Sequence, residues 1–273
     1  MLNYKMDKHI KNIENNGYSL LENVFDESIC NKVKSLSLKY IDNNNFSYDT
    51  RASSSSLARK DKEKILNNLQ NKDYFYFNFI SNKNICEIIG YFLKNGSYLN
   101  SEPFHLINSQ VRCLEPNAPQ QQLHMDSNLP GKDSYPLVMI VIIMIDDFTS
   151  KNGATRVVPS SHLRDDYAKS NKKYKNEVKI LGKAGDVMII NGSLWHGSEK
   201  NFTNSERWSI NLGYARWFIK PSFDIPRSID KDIYNKMNKF ERELMGLKTV
   251  PPIDEFDRLT RKSNRDFLHW EKK

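Results

Sequence analysis

Two histidines and one aspartate have the types and spacing that suit a metal ion. His124 and Asp126 stand two residues apart, and on an extended chain that spacing turns both side chains to one face. His196 follows an apolar run that ends in a glycine-flanked turn. Taken alone, a His-x-Asp pair arises often by chance, and a single histidine is more often an ordinary surface or core residue. Together, two imidazoles and one carboxylate can hold Fe(II) and leave three adjacent positions open, so these residues predict a non-haem iron centre.

Arg207 adds a group that can bind a carboxylate. It lies eleven residues after His196, at the start of a predicted strand that we expect to return beside the strand ending at His196. A guanidinium there can hold a carboxylate through two parallel hydrogen bonds and is always charged. An arginine standing by itself would be interpreted as part of a surface ion pair. Beside the three metal-binding candidates, it favours a ligand that chelates iron and carries a second carboxylate.

The sequence resembles the phytanoyl-CoA dioxygenase family of Fe(II)- and 2-oxoglutarate-dependent oxygenases. Four blocks carry the likeness, and they occur in the family's order: GYSLLENVF at residues 17–25, the His124-x-Asp126 pair, GATRVVPSSH at residues 153–162, and the run over residues 185–221. The resemblance implies a mainly β fold with flanking helices, a double-stranded β-helix of the jelly-roll, cupin-like type.

The resemblance also implies the roles of individual residues. His124, Asp126 and His196 match the iron ligands, and Arg207 matches the residue that anchors 2-oxoglutarate. Two further residues match positions beside the co-substrate, Ser198 as a hydroxyl that assists the anchor and Gln121 as a neighbouring polar group.

The implied reaction uses Fe(II), 2-oxoglutarate and O2, and it couples decarboxylation to succinate with oxidation of a small-molecule substrate. Family members that halogenate replace the aspartate with a small residue, so Asp126 favours hydroxylation. Desaturation, cyclisation and epimerisation start from the same radical and stay open. We expect a small polar or amino-acid-like metabolite as the substrate.

Other polar and aromatic residues near these motifs have simpler interpretations beside the functional one. Gln110 and Arg112 alternate on a predicted strand, so they are candidates for lining the substrate cavity, although ordinary strand polarity explains them as well. His162 follows a Pro-Ser-Ser turn and is interpreted as structural. We expect the aromatic residues of the closing strands to belong to the core; they are Trp195, Trp208 and Trp217.

Short β-type segments separated by turn residues fill the middle of the chain and predict an antiparallel sandwich or barrel. The predicted strands are residues 106–114, 137–145, 154–158, 186–190 and 207–219. Helices are predicted before and after this region, with Asp26 capping one that runs to about Ile41 and Asn84 capping another. A last helical stretch covers residues 229–247 and breaks at Pro251-Pro252.

These elements predict one catalytic domain over residues 1–273. Its parts are a mainly helical segment at residues 1–100, a β-helix core at 104–220 and a helical extension at 221–273. The serine-rich segment 43–64 is interpreted as a surface loop rather than a substrate lid.

The composition of the chain limits the classes of function that it can have. The net charge of +8 comes from lysines scattered along the chain, without the basic, aromatic-bearing stripe that nucleic-acid binding would need. The longest apolar run is far too short to span a membrane, and the first residues show no secretion signal, so a cytoplasmic location is expected. The three cysteines lack metal-type spacing and are expected to be reduced core thiols. The oligomeric state stays open.

Two other functions use the same metal-binding residues. One is a cupin-like barrel that holds a metal without catalysis, which would have no need of Arg207 as a carboxylate anchor. The other is a nucleic-acid demethylase with the same iron chemistry, which the scattered lysines argue against.

Overall fold

The computed structural model of the protein describes residues 4–43, 62–97, 102–131, 135–169, 172–260 and 266–271. The chain divides into two compact units, one comprising Met1–Asn67 and Gln110–Leu212 and the other Asn68–Ser109 and Gly213–Lys273. The candidate iron ligands belong to the first unit. The single domain over residues 1–273 stays a prediction. The serine-rich segment 43–64 lies outside the described residues except at its two ends.

The strands of the described chain form two sheets. In chain order they are β1 (Tyr18–Leu21), β2 (Glu63–Asn67), β3 (Phe104–Leu114), β4 (Val138–Met144), β5 (Thr155–Val157), β6 (Val178–Lys179), β7 (Val187–Asn191), β8 (His196–Ser198) and β9 (Arg207–Arg216). The larger sheet has the order β1-β7-β4-β9-β3-β2, and the smaller one has the order β6-β5-β8. β7 pairs antiparallel with both β1 and β4, and β2 pairs antiparallel with β3.

The centre of the larger sheet forms the core of the first unit. Every residue of β4 and of β7 is buried, which explains why both segments are continuous apolar runs rather than alternating ones. β-Branched Val and Ile dominate the two strands and suit a pleated surface packed on both faces. The strands predicted from the sequence are all present, with ends shifted by at most three residues.

The prediction that the Arg207 strand returns beside the strand of His196 is wrong. His196 begins β8 instead of ending a strand, and β8 pairs with β5 in the smaller sheet. Arg207 begins β9, which lies between β4 and β3 in the larger sheet. The choice of sheet depends on tertiary packing rather than on the local alternation pattern, so the sequence did not reveal it.

The helices flank the strands along the chain. They are α1 (Tyr4–Asn16), α2 (Glu27–Asn43), α3 (Phe77–Ile80), α4 (Lys83–Lys94), α5 (Ile225–Ser228), α6 (Lys231–Lys236), α7 (Lys239–Leu244) and α8 (Glu255–Thr260), with 3-10 turns at Leu69–Asn71, Tyr74–Tyr76, Ser161–Leu163 and His269–Glu271. The predicted cap of α2 is confirmed, because the Ile29 amide donates to Asp26 Oδ1 at 2.9 Å.

Two predictions about helices in the second unit need correction. α4 is capped by Asn82, whose Oδ1 accepts from the Ile85 amide at 3.3 Å, and not by Asn84. The predicted helical stretch 229–247 is divided into α6 and α7. The division arises because Met237 is extended and Asn238 starts α7 with a capping box to Glu241.

The three cysteines are free and buried, as predicted. Trp195 and Trp208 are buried, but Trp217 is 40% exposed, so the expectation that it belongs to the core is wrong. The Trp217 indole instead donates to Glu102 Oε2 at 2.6 Å. Within the described ranges, no helix combines the length and the apolar character that crossing a membrane requires.

Candidate active site

The two candidate histidines are brought together by a backbone bridge. The His124 amide donates to the His196 carbonyl at 2.9 Å, and the His196 amide donates back to the His124 carbonyl at 2.9 Å. Their ring centroids lie 4.5 Å apart. Residues distant in the sequence thus become cross-strand neighbours at the start of β8.

Backbone carbonyls fix which nitrogen each imidazole presents. Nδ1 of His124 lies 3.0 Å from the Gln122 carbonyl, and Nδ1 of His196 lies 2.9 Å from the Leu194 carbonyl. Because a carbonyl oxygen only accepts, each Nδ1–H donates and each Nε2 has an available lone pair. In metal-binding histidines, a hydrogen bond from the ring nitrogen that does not bind the metal orients the ring in this way.

The Asp126 carboxylate faces both Nε2 atoms. Its Oδ2 lies 3.3 Å from Nε2 of His196, and its Oδ1 lies 3.8 Å from Nε2 of His124. One ligand atom from each of the three residues lies within 4.8 Å of the others. The Asp126 amide donates to the Gly192 carbonyl at 2.8 Å, so the turn that follows β7 sets the position of the aspartate.

The charge states of the triad suit a divalent metal. Burial lowers the pKa of the His124 imidazole to about 4, and the neighbouring His196 adds to this effect. Burial opposes ionisation of Asp126, but His196 and His124 hold the pKa of that carboxyl well below its usual range. Burial also disfavours the charged form of His196, yet Asp126 outweighs it and raises the pKa of His196. At neutral pH, Asp126 is therefore ionised and His124 neutral, and the raised pKa of His196 makes it the imidazole at which a proton competes most strongly with a metal.

Arg207 lines the same cavity as the triad. Its Nη2 donates to the Gly153 carbonyl at 3.0 Å, and its Nη1 donates to Ser209 Oγ at 3.2 Å. The guanidinium carbon lies 4.3 Å from the centre of the Phe148 ring, and only 5% of the residue is exposed. These contacts hold a buried, always-charged group at one wall of the cavity.

The other predicted site residues differ in whether they line the cavity. Gln121, Ser198 and Arg112 line the cavity. The Ser198 amide donates to Gln121 Oε1 at 3.2 Å, so these two neighbours of the proposed co-substrate anchor also contact each other. Gln110 donates instead to Asn67 Oδ1 at 2.8 Å, and it is not among the described residues that line the cavity.

Several residues that line the cavity were not predicted. They are Glu63, Ile140, Ile142, Thr155, Gly197, Ser209 and Asn211. Ser209 and Asn211 follow Arg207 at steps of two along β9, a period that could have placed them on the same face. Ser209 Oγ donates to Asn211 Oδ1 at 3.0 Å, which extends the polar wall from Arg207. No such two-residue period pointed to Glu63, because its strand, β2, was not predicted.

The family model of phytanoyl-CoA dioxygenase (PhyH) matches residues 13–209, a span that includes the whole triad and Arg207. The chain belongs to this family. As a PhyH member it is a 2-oxoglutarate-dependent non-haem iron dioxygenase. The earlier resemblance is thereby confirmed at the level of the family and of the enzyme class.

Similar proteins agree with the family and with the fold. An uncharacterised protein of Mycobacterium bovis, Mb1539, is 25% identical over 185 residues, which cover 66% of this chain and 67% of that protein. Dioxygenase trt7 of Aspergillus terreus is 29% identical over 153 residues, and the match spans 54% of this chain and about half, 53%, of trt7.

The crystal structure of HygX from Streptomyces hygroscopicus with nickel and 2-oxoglutarate bound superposes with a TM-score of 0.62. The superposition covers 81% of this chain and 90% of HygX at 14% sequence identity, so the likeness concerns the fold. The predicted double-stranded β-helix, mainly β with flanking helices, is confirmed.

Proposed function

We propose that this PhyH-family dioxygenase hydroxylates an unactivated C–H bond of a small polar metabolite, with Fe(II) bound by His124, Asp126 and His196. The observation that carries the proposal is the convergence of this triad and Arg207 on one cavity. A barrel that only stored a metal would not need a buried guanidinium beside the ligands.

The three side chains fit the iron that the family uses. Two imidazole nitrogens and one carboxylate oxygen are the donor set of the facial triad, and they lie within 4.8 Å of one another. Neutral imidazoles and one anion leave bound Fe(II) with a positive charge, which attracts a chelating dianion. When bound, iron and 2-oxoglutarate supply the oxidising chemistry with O2, coupled to release of succinate and CO2.

Arg207 is proposed to bind the far carboxylate of 2-oxoglutarate. Its contacts with Gly153, Ser209 and Phe148 restrict the guanidinium before the co-substrate arrives, so little side-chain freedom is lost on binding. Ser198 and Gln121 line the same cavity and are proposed to complete the polar surroundings of the co-substrate.

One feature of the cavity favours hydroxylation over halogenation, and a second protects the reaction from water. Asp126 supplies a carboxylate where family members that halogenate have a small residue. Ile140 and Ile142 of β4 give the cavity an apolar wall. Such a wall limits the access of water to the site and so protects reactive groups from side reactions.

The proposal is tested by an aerobic screen of fractionated metabolites for substrate-stimulated release of succinate by the Fe(II)-loaded protein. We expect one small-molecule fraction to stimulate succinate release and to yield a product heavier by one oxygen atom. HygX, which shares the fold, has been crystallised with hygromycin B, a case of a small molecule bound to such a protein. Metal binding without any release of succinate, stimulated or basal, would contradict the proposal and favour a non-catalytic barrel.

A further inference from the structure

A second arginine, Arg112, lines the cavity and is held by a buried glutamate. Its Nε donates to Glu63 Oε1 at 2.8 Å, and its Nη2 donates to Glu63 Oε2 at 2.8 Å. The Arg112 side chain keeps 19% of its surface accessible, whereas that of Glu63 keeps only 4%. The guanidinium is therefore the accessible partner of the pair, and the carboxylate is its support.

The pair is built into two adjacent strands. Arg112 of β3 is opposite Ile65 of β2, so Glu63 is its diagonal neighbour two residues along. Two parallel hydrogen bonds between planar groups fix both the position and the tilt of the guanidinium. Arg112 is thus presented to the cavity in one orientation.

Stability alone does not explain a buried pair at this place. The loss of hydration on burying two charges generally offsets their attraction, so apolar residues of similar size would serve the fold as well. Both Glu63 and Arg112 line the cavity of the metal-binding triad. Their position points to recognition of a ligand.

In the proposed complex, Arg112 is not needed to balance the charges of the iron and the co-substrate. The formal charges of Fe(II), Asp126, Arg207 and the 2-oxoglutarate dianion cancel. Arg112 and Glu63 cancel each other, so the cavity has no excess charge to neutralise a phosphate-rich substrate. A substrate that brings its own positive charge with a carboxylate keeps the cavity neutral.

We infer that Arg112 binds the carboxylate of a zwitterionic, amino-acid-type substrate and that Glu63 is the positioning residue that orients Arg112. The inference rests on the proposed function and names the substrate class for the same site. The planar guanidinium matches a carboxylate in shape, and Arg207 is reserved for the co-substrate.

The test uses the protein loaded anaerobically with Fe(II) and 2-oxoglutarate, titrated with the protein L-amino acids and with the amide of each. Binding is followed through the visible absorption band of the iron-bound co-substrate. We expect at least one amino acid to bind roughly thirtyfold or more tightly than its amide, because the amide loses the charged partner of Arg112. Arg112→Gln should abolish that preference, and Arg112→Lys should keep part of it.

Glu63→Gln tests the positioning role. It should reduce the preference for the carboxylate over the amide while leaving the binding of iron and 2-oxoglutarate unchanged, a pattern that a purely structural role would not produce. Since Arg112→Gln leaves the Glu63 charge without its partner arginine and can misfold, the double variant Glu63→Gln/Arg112→Gln removes both charges together. The double variant should also show no preference.

The 2-oxoglutarate titration of the same samples separates the two proposals. If the wild-type protein binds 2-oxoglutarate but no amino acid binds better than its amide, the inference about Arg112 is overturned and the proposed function stands. A shift of the 2-oxoglutarate midpoint in Arg112→Gln would also overturn it, because Arg112 would then serve the co-substrate. If the wild-type protein binds no 2-oxoglutarate, the proposed function itself fails.

Discussion

At His124 and His196, two backbone carbonyls decide which ring nitrogen is offered to a metal. The Nδ1 atoms lie 3.0 and 2.9 Å from the carbonyls of Gln122 and Leu194, so both Nε2 atoms remain for coordination. The types and spacing of these residues in the sequence predicted that they bind a metal. The spacing did not predict these contacts, because the orientation of each ring follows from the local turn of the backbone.

Removing a member of the triad should remove the metal and leave the fold. We expect His124→Ala and Asp126→Ala each to reduce iron from one per chain to a trace and to abolish turnover. The free energy of unfolding should change little, because both side chains are partly exposed. Iron content and chemical denaturation measure the two effects. His269→Ala, at an exposed residue, is the matched control and should retain iron. Normal activity in Asp126→Ala would show that Asp126 is not an iron ligand.

Iron binding should weaken as the pH falls. Burial opposes the charged form of His196, but Asp126 raises the pKa of His196 overall, so a proton competes with a metal for this imidazole as the pH falls. His124, with a pKa lowered to about 4, is already neutral above that pH and adds no such dependence. Below the pKa of His196, we expect the affinity for Fe(II) to drop by about tenfold per pH unit, as one proton is released. Anaerobic metal titrations between pH 5.5 and 8 measure this slope, and an affinity independent of pH would contradict it.

At the scale of elements, the turn between β7 and β8 positions the aspartate. A Cβ atom on Gly192 would lie 2.8 Å from the Val138 carbonyl oxygen, a backbone contact that no rotamer change relieves. The Gly192 carbonyl accepts from the amides of Asp126 and Ser127 at 2.8 and 3.0 Å. Close packing of this turn against β4 therefore sets the position of Asp126, the proposed third metal ligand.

Gly192→Ala should consequently affect both stability and metal binding. We expect a loss of about 1–3 kcal/mol in the free energy of unfolding from the overpacked turn. Iron affinity should fall by roughly tenfold to a hundredfold, as for other changes that displace a ligand indirectly. Gly90→Ala within α4 is the control, since its Cβ would approach only the Phe104 ring, at 3.4 Å, and alanine favours a helix. Equal iron affinities in Gly192→Ala and the wild-type protein would refute the role of the turn.

The sequence predicted the central strands well because each is a continuous apolar or alternating run bounded by turn residues. It missed β1, β2, β6 and β8, which are only two to five residues long and so too short to show a clear period. That omission also hid Glu63, whose partner Arg112 lies 49 residues further along the chain. Contacts between distant strands depend on register and sheet order, and neither follows from local periodicity.

At the scale of the whole molecule, the net charge of +8 is the one global feature that suggests nucleic acid. The charge is scattered, and several lysines are engaged in ion pairs; examples are Lys34 with Asp146, Lys179 with Glu199 and Lys183 with Asp147. We expect no retention of single- or double-stranded nucleic acid in a gel-shift assay at about 0.15 M salt, where scattered surface charges are screened beyond about 8 Å. A retained complex at that salt concentration would revive the demethylase alternative.

Arg207 is the residue proposed to recognise 2-oxoglutarate. Arg207→Ala leaves the far carboxylate of the co-substrate unpaired in a largely enclosed site, which costs about 2–5 kcal/mol. Affinity for 2-oxoglutarate should then fall by roughly thirtyfold to several thousandfold, and Arg207→Lys should recover only part of it. Iron binding should stay nearly unchanged, because Arg207 is not a ligand.

The decisive measurement is a titration of the anaerobic Fe(II) protein with 2-oxoglutarate. Binding is followed through the visible charge-transfer band of the iron-bound 2-oxoglutarate. We expect the midpoint for Arg207→Ala to lie roughly thirtyfold or more above that of the wild-type protein, at equal iron content. Equal midpoints for the two proteins would contradict the assignment of Arg207 as the co-substrate anchor, even if the triad still binds iron.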